Sequence, residues 1–349
     1  MTRQTWTAVV AAILFVVSAG LMAFVPTPFV AWTPGATHDV LGATRDGTPI
    51  VDVQGVATYP TSGELRLTTV AQTRVDAALS LPEAILAYVL PSRDVLPRWA
   101  VYGAGRSPQQ VQEEEKQLMG DAQANATVAA LRAAGKPVKQ LPMVQSVRLS
   151  GPANGKLEPG DFVVSIDNVA VTTVESVQIR VREKGVGQKL VVGLLRDGQP
   201  LSTTIDTVGS NNDGKVATLG VTWATGYSYA GKVSYGIDPT IGGGSGGLVF
   251  ALAIYDKITP GELLAGRKVA GTGGIDAGGT VEVIGGIQEK LAGAEAEGAT
   301  VFLVPAGNCV DTVGASTAMA LVRVETLADA ILALDRLRDP ATESQAPRC

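Results

Sequence analysis

Ser245 and Lys290 are the two residues of this chain whose settings suit covalent chemistry. Ser245 lies in Ile241-Gly242-Gly243-Gly244-Ser245-Gly246-Gly247, ahead of the apolar run Leu248 to Ile254. Lys290 follows Val283-Ile284-Gly285-Gly286-Ile287-Gln288-Glu289 and opens a helix-like segment. A serine hydroxyl becomes a nucleophile when a base takes its proton, and the usual base is histidine. The one histidine, His38, lies far upstream, which leaves lysine to serve. Such a lysine must be neutral near physiological pH, through burial or nearby positive potential. Of Lys215, Lys232, Lys257, Lys268 and Lys290, the last is best placed, early in a helix whose dipole disfavours its charge, with Ile287, Leu291 and Ala294 as an apolar wall. Lys257 and Lys268 sit among turn formers and read as solvated. Two other readings of Ser245 compete. By itself it suits a helix N-cap. Gly243-Gly244-Ser245-Gly246-Gly247 also satisfies the Gly-x-Ser-x-Gly elbow, but that fold needs a histidine after the serine and none follows. The flanking glycines admit a substrate backbone, and first-turn amides suit a developing oxyanion.

These residues need a scaffold. Leu248 to Ile254 and the segment from Lys290 read as helices, as does Leu327 to Leu337 after Thr326 as N-cap. Upstream, Glu64 to Val70 alternates as a strand does, while Pro82 to Leu90 and Pro108 to Ala134 read as helices, the second ending at Gly135. No chemistry is assigned to that region. From about residue 136 the character changes: a strand from Val144 to Leu149, a run of turn formers to Asp161, a strand from Phe162 to Asp167 and a helix from Val174 to Glu183. A hairpin over Gln188 to Val208, turning at Asp197-Gly198, follows. Gly209-Ser210-Asn211-Asn212-Asp213-Gly214 then reads as the core of a connector.

Composition removes several function classes. The chain has 349 residues, a net charge of −5 and no basic patch, which argues against nucleic acid as a partner. The run Glu113-Glu114-Glu115 reads as a solvated helix face. With one histidine and two cysteines, neither a metal site nor a cysteine–histidine protease is credible, and no cofactor is expected. Gly151-Pro152-Ala153-Asn154-Gly155-Lys156 departs from a phosphate-binding loop in glycine spacing and in Leu157, so no ATPase is read. Trp6 to Val25 is almost wholly apolar, and about 20 such residues match the hydrocarbon thickness of a bilayer. Trp6 and Trp32 are placed near its two ends, where indoles favour the interface, and Arg3 favours a cytoplasmic N-terminus with the remaining chain outside. Val17-Ser18-Ala19 offers the alternative of a cleaved signal peptide; either reading exports the chain. Cys309 and Cys349 suit an exported disulfide that pins the C-terminal tail, adding ~4 kcal/mol on the chain-entropy model; two free thiols are the alternative.

Two resemblances add to this reading. SGPANGKLEPGDFVVSIDNVAV with GVGQKLVVGLLRDGQ resembles a PDZ domain of the bacterial protease type over about 70 residues, implying recognition of an extended peptide or C-terminus by strand addition. GGGSGGLVFALAIYDKITPGELLAGRKVAGTGGIDAGGTVEVIGGIQEKLAGAEAEGATVFLVP resembles the proteolytic domain of Lon-type Ser-Lys proteases. Together with the N-terminal apolar segment, the chain is similar to the membrane-anchored, PDZ-containing Lon-like family of bacteria. The resemblance implies an α+β fold with Ser245 as nucleophile, Lys290 as general base, Thr272 orienting the lysine, and amides around Gly244 and Gly246 as oxyanion donors. It places an anchor in residues 1–32, an N-terminal ectodomain region in 33–122, the PDZ-like domain with its leading helix in 123–208, a connector in 209–225, the proteolytic domain in 226–338 and a tail in 339–349. The chain departs from the family where Gly244 and Gly246 replace proline and alanine beside the serine, where Val283 replaces a proline, and where Gly274 replaces a glutamate. The extra glycines predict a more flexible nucleophile loop. The expected function is an ATP-independent serine endopeptidase at the cell membrane, acting on polypeptides outside the cytoplasm. The alternative is a catalytically inactive PDZ scaffold or peptide-binding protein. Lon-type domains often form rings, so a homo-oligomer is compatible with the resemblance.

Overall fold

A computed structural model describes residues 2–103, 105–211 and 213–349; Met1 and the Asn212 of the expected connector lie outside the described residues. Its helices are α1 (Arg3–Ala23), α2 (Leu81–Val89), α3 (Arg98–Tyr102), α4 (Pro108–Ala133), α5 (Val174–Lys184), α6 (Gly247–Ile258), α7 (Ile287–Ala296) and α8 (Leu327–Arg338). The apolar opening of the chain becomes α1, which over Arg3–Met22 is long and apolar enough to cross a membrane and has none of that stretch buried. Two compact units follow from the contacts: residues up to Lys136 together with Gly231–Cys349, and Pro137–Ala230. This division differs from the linear series of domains expected from the sequence.

The first unit is discontinuous in sequence because its sheet is. A six-stranded sheet runs in the order Ala320–Val324, Val301–Pro305, Lys268–Gly271, Glu64–Gln72, Phe29–Asp39 and Asp94–Pro97. The first four strands are mutually parallel, with Val269 opposite Leu65 and Gly271 opposite Leu67; the last two join antiparallel. Half of the sheet therefore comes from the region expected to form a separate ectodomain. Its centre is covered on both faces, and Val269, Ala270, Leu65 and Phe302 are fully buried, as central parallel strands require. Helix α6 is apolar all round from Gly247 to Ile254, and Leu248 to Ile254 have no exposed surface, the mark of a helix inside a core. Helix α4 packs on α6. The Tyr235 hydroxyl donates to Gln123 O at 2.8 Å, further tying α4 into this unit rather than to the module that follows it in sequence. Thr326 caps α8 as expected, accepting from Asp329 N.

Trp32 is not at the end of a membrane helix. Helix α1 stops at Ala23, and Trp32 sits on the strand Phe29–Asp39, where its ring faces Gly285 so closely that a Cβ there would meet it at 2.9 Å. Cys309, in the short 3-10 segment Ala306–Thr312, is bonded to Cys349 with a sequence separation of 40. That closure corresponds to ~4 kcal/mol of denatured-state entropy.

The second unit is an antiparallel sheet in the order Gln199–Asp206, Lys189–Arg196, Phe162–Ile166, Val138–Val147 and Val221–Tyr229, with α5 beside it. Asp197 and Gly198 both take positive φ, as a tight hairpin between Arg196 and Gln199 requires. Its core gathers Val144, Leu157, Val163, Ile166, Val177, Leu190 and Ile205. Asp161, 1% exposed, takes two hydrogen bonds from the Arg196 guanidinium at 2.8 and 2.7 Å. The segment read as a connector is part of this unit: Val208–Gly209 pairs with Ala217–Thr218, and Val221–Tyr229 pairs along the whole of Val138–Val147.

Candidate functional site

The loop that carries Ser245 is held from below by α4. Gly243 has φ of +85°, and its amide donates to Glu115 O at 3.0 Å. A Cβ on Gly242 would meet the Glu115 Cβ at 2.7 Å, so the loop can lie on α4 only with glycine there. Helix α6 begins at Gly247 with Gly246, not Ser245, in the N-cap position and no side-chain cap bond. The capping alternative for Ser245 is thereby not realised. A Cβ on Gly247 would meet the backbone nitrogen of Ile275 at 2.9 Å, which seats this first turn against the chain leaving the strand Lys268–Gly271. The loop is tied rather than loose: Gly273 N donates to Ser245 O at 2.8 Å and Leu248 N donates to Gly273 O at 3.0 Å. Among the described residues the amides of Gly244, Ser245 and Gly246 have no hydrogen-bond acceptor, which leaves donors beside the serine side chain.

Thr272 follows the strand Lys268–Gly271 and is fully buried. Its hydroxyl donates to Ser245 O at 3.1 Å and accepts from Lys290 Nζ at 2.9 Å. Because the single hydroxyl proton goes to the serine carbonyl, the oxygen's lone pair must face the lysine. Thr272 thus joins the serine's backbone to the lysine's amine.

Lys290 occupies the first turns of α7, whose N-cap Gly286 is left-handed with φ of 75°. Trp32 packs on Gly285, Val70 on Gly286, and Gly35 O on Gly293, each at a distance that a Cβ on the glycine would reduce below 3.0 Å. The N-terminal strands therefore set the height of α7 and of its lysine. Lys290 is 3% exposed, and burial lowers its pKa from 10.5 to about 8, with Glu289 acting weakly the other way. Glu289 is itself fully buried, with the Asp94 carboxyl beside it. Burial, helped by the nearby Asp94 carboxyl, pushes the Glu289 pKa up and so weakens the one influence that would restore the lysine's charge.

Ser245 and Lys290 line a single cavity of about 1140 Å³ within the first unit. Its walls include Trp32, Leu67 and Val70 from the N-terminal strands and Glu115, Leu118 and Met119 from α4. That volume exceeds one side chain and suits a length of extended chain. Of the other lysines in the first unit, Lys257 lies in α6 rather than a turn and donates to Leu41 O at 3.4 Å; Lys268 lies on its strand and pairs with Glu64 at 3.1 Å. Gly244 and Gly246 differ: a Cβ at Gly244 has room, whereas one at Gly246 would meet Leu67 Cδ1 at 2.8 Å. Cys309 and Cys349 are not among the cavity's lining residues. The cavity walls from residues 29–39, 64–72 and α4 were missed by sequence reasoning. The one local signal was the cluster of glycines in the α7 entry, which marks close approach by another backbone or ring.

A PDZ-domain family model matches residues 121–207, and the chain contains a PDZ domain. The match starts on the last turns of α4 and ends before Val221–Tyr229, whereas the compact unit spans Pro137–Ala230. Among solved structures, the PDZ domain of an SdrC-like protein from Listeria monocytogenes is similar at 20% identity, covering 24% of this chain and 86% of that one, with a TM-score of 0.22. The corresponding domain of an SdrC-like protein from Listeria innocua is similar at 19% identity, covering 24% and 92%, with a TM-score of 0.23. A solution structure from Geobacillus thermodenitrificans is similar at 32% identity, covering 24% and 95%, with a TM-score of 0.22. No curated protein matches the chain.

Proposed function

We propose that this PDZ-containing chain is a membrane-tethered, ATP-independent serine endopeptidase of the Lon-like Ser-Lys kind. The observation that carries the reading is the buried Lys290 amine, donating to Thr272 Oγ1 at 2.9 Å while Thr272 donates to Ser245 O, in the cavity that Ser245 also lines. A neutral amine with one N–H on Thr272 keeps its lone pair for the serine. Ser245 Oγ attacks the scissile carbonyl carbon as its proton passes to Lys290 Nζ, and the amides beside Ser245 receive the developing oxyanion. The lysine then protonates the leaving amine as the C–N bond breaks. Water attacks the resulting ester, giving a proton to Lys290, which returns one to Ser245 Oγ as the acyl group leaves.

The PDZ unit selects substrate, since PDZ domains bind extended peptides at a sheet edge. Helix α1 anchors the chain, with Arg3 on the cytoplasmic side, and the Cys309–Cys349 disulfide suits an oxidising compartment outside. Without an ATP-driven unfoldase in the chain, its targets are unfolded or exposed segments. The test is casein and peptide cleavage by the full chain in detergent. Ser245→Ala and Lys290→Gln should each lose activity by at least about a thousandfold, as removal of a nucleophile or its base does. Undiminished cleavage in either variant refutes the assignment.

A further inference from the structure

Helix α2 is inside out for a helix in water. Its sequence, Leu-Pro-Glu-Ala-Ile-Leu-Ala-Tyr-Val, turns the small Ala84 and Ala87 inward against Ala31, Leu79 and Val95. The large side chains point the other way: Ile85 and Leu86 are each 56% exposed, Tyr88 81% and Val89 71%. A water-facing surface would place charge there, yet the helix's one charged residue, Glu83, is spent at its start, where it accepts from Ser80 N at 2.9 Å.

The fold puts α2 next to α1. Pro26 and Thr27, just beyond the end of α1, pair with Ser80 and Leu79, the two residues before α2, and α1 packs on α2. Two residues further, Phe29 pairs with Pro97, the residue before α3, whose Trp99 is 69% exposed. Phe24, 86% exposed, stands between them in the chain. Large exposed apolar side chains thus stand on α1, on the outer face of the α2 that packs beside it, and at Trp99. Exposed apolar side chains gathered on neighbouring elements mark an interaction site, and amphipathic aromatics such as Tyr88 and Trp99 favour the headgroup level.

Resting on the reading of α1 as an anchor, we infer that the outer face of α2, with Trp99, lies in the interfacial layer of the lipid bilayer beside α1. The helix lies in the plane of the membrane surface with its large side chains among the upper acyl chains. The catalytic unit is then held at the surface by two elements rather than one. Packing of Ala84 and Ala87 with Ala31 links α2 to the strand Phe29–Asp39, which also carries Trp32 against Gly285 at the entry to α7.

The experiment uses the full chain in phosphatidylcholine vesicles, with an environment-sensitive dye on a single introduced cysteine. The described cysteines are both in the disulfide, so the introduced thiol is the reactive one. Three variants are compared with and without lipids carrying a nitroxide near the headgroup end of the acyl chain: Tyr88→Cys on α2, Leu14→Cys on α1, and Val313→Cys. Val313 is 81% exposed and lies between the strands Val301–Pro305 and Ala320–Val324, at the sheet edge opposite Asp94–Pro97. Loss of emission at positions 88 and 14 but not at 313 is the expected result. Loss at 14 with emission at 88 retained overturns the α2 assignment and leaves the anchor standing; a blue-shifted but unquenched dye at 88 would mean a protein partner or second copy covers the face. No loss at 14 removes the anchor reading and this inference with it. Loss at all three positions overturns the inference, since insertion would then be unspecific.

Discussion

Peptide hydrolysis by the native chain should rise about tenfold for each pH unit up to about 8 and level off above it, with kcat/KM as the readout. The direction follows from the role assigned to Lys290. A base accepts a proton only when neutral, and burial has lowered this amine from 10.5 to about 8, so the active fraction grows as pH rises through that value. In kcat/KM the limb belongs to the free enzyme, where Lys290 Nζ already donates to Thr272. Glu289 is the ionisable neighbour that acts against burial, and burial, helped by Asp94, pushes its own pKa up and so weakens that effect. Glu289→Gln should therefore leave the limb near 8. A limb near the 10.4 of a solvated lysine, or no limb at all, would contradict Lys290 as the base.

Lys290→Met should abolish cleavage and at the same time make the protein more stable at pH 7. The folded pKa of about 8 lies below the unfolded value of 10.5. Below pH 8 the amine is charged in both states, and the folded state bears the full cost of burying that charge. The cost shrinks as pH rises from about 8 to 10.5 and is gone above, where both states are neutral. The separation between the two values corresponds to about 3 kcal/mol at pH 7, less the hydrogen bond to Thr272 that methionine cannot make. Thermal unfolding in detergent should show the variant's midpoint above the native one at pH 7, with the gap closing near pH 10.5. A lower midpoint at pH 7 would mean that the buried amine carries no such cost. Stability given up for a reactive group is a common feature of functional sites.

The sequence and the structure agree most closely where chemistry is local. Ser245 and Lys290 each lie in a short motif with glycines that singles them out, whereas Thr272 comes only from the family resemblance; in the structure the Thr272 hydroxyl bonds both Ser245 O and Lys290 Nζ. What surrounds them was not legible. The strand Lys268–Gly271 pairs in parallel with Glu64–Gln72, some two hundred residues earlier, and parallel pairing over such a distance leaves no local signature. Val70 was read as part of an alternating strand, but not as the residue packed on Gly286. Trp32, close to an apolar segment, reads as an interfacial indole because proximity in sequence is all that sequence offers; its place against Gly285 depends on sheet order. The turn formers at 209–214 resemble a linker in composition, yet the strand Val221–Tyr229 that follows them closes the sheet begun by Val138–Val147. Helix α2 is the converse case. Its period was visible, but only burial reveals that the alanines face in and Tyr88 faces out.

The most direct test of the central claim is covalent labelling of the full chain in detergent at pH 8 with a fluorophosphonate, which reacts with a serine hydroxyl whose proton is being removed. One adduct is expected, on Ser245, absent from Lys290→Met and from Ser245→Ala. A chain that remains unlabelled at Ser245 at pH 8 and above, while folded and cleaving nothing, would be a PDZ-bearing scaffold rather than a protease.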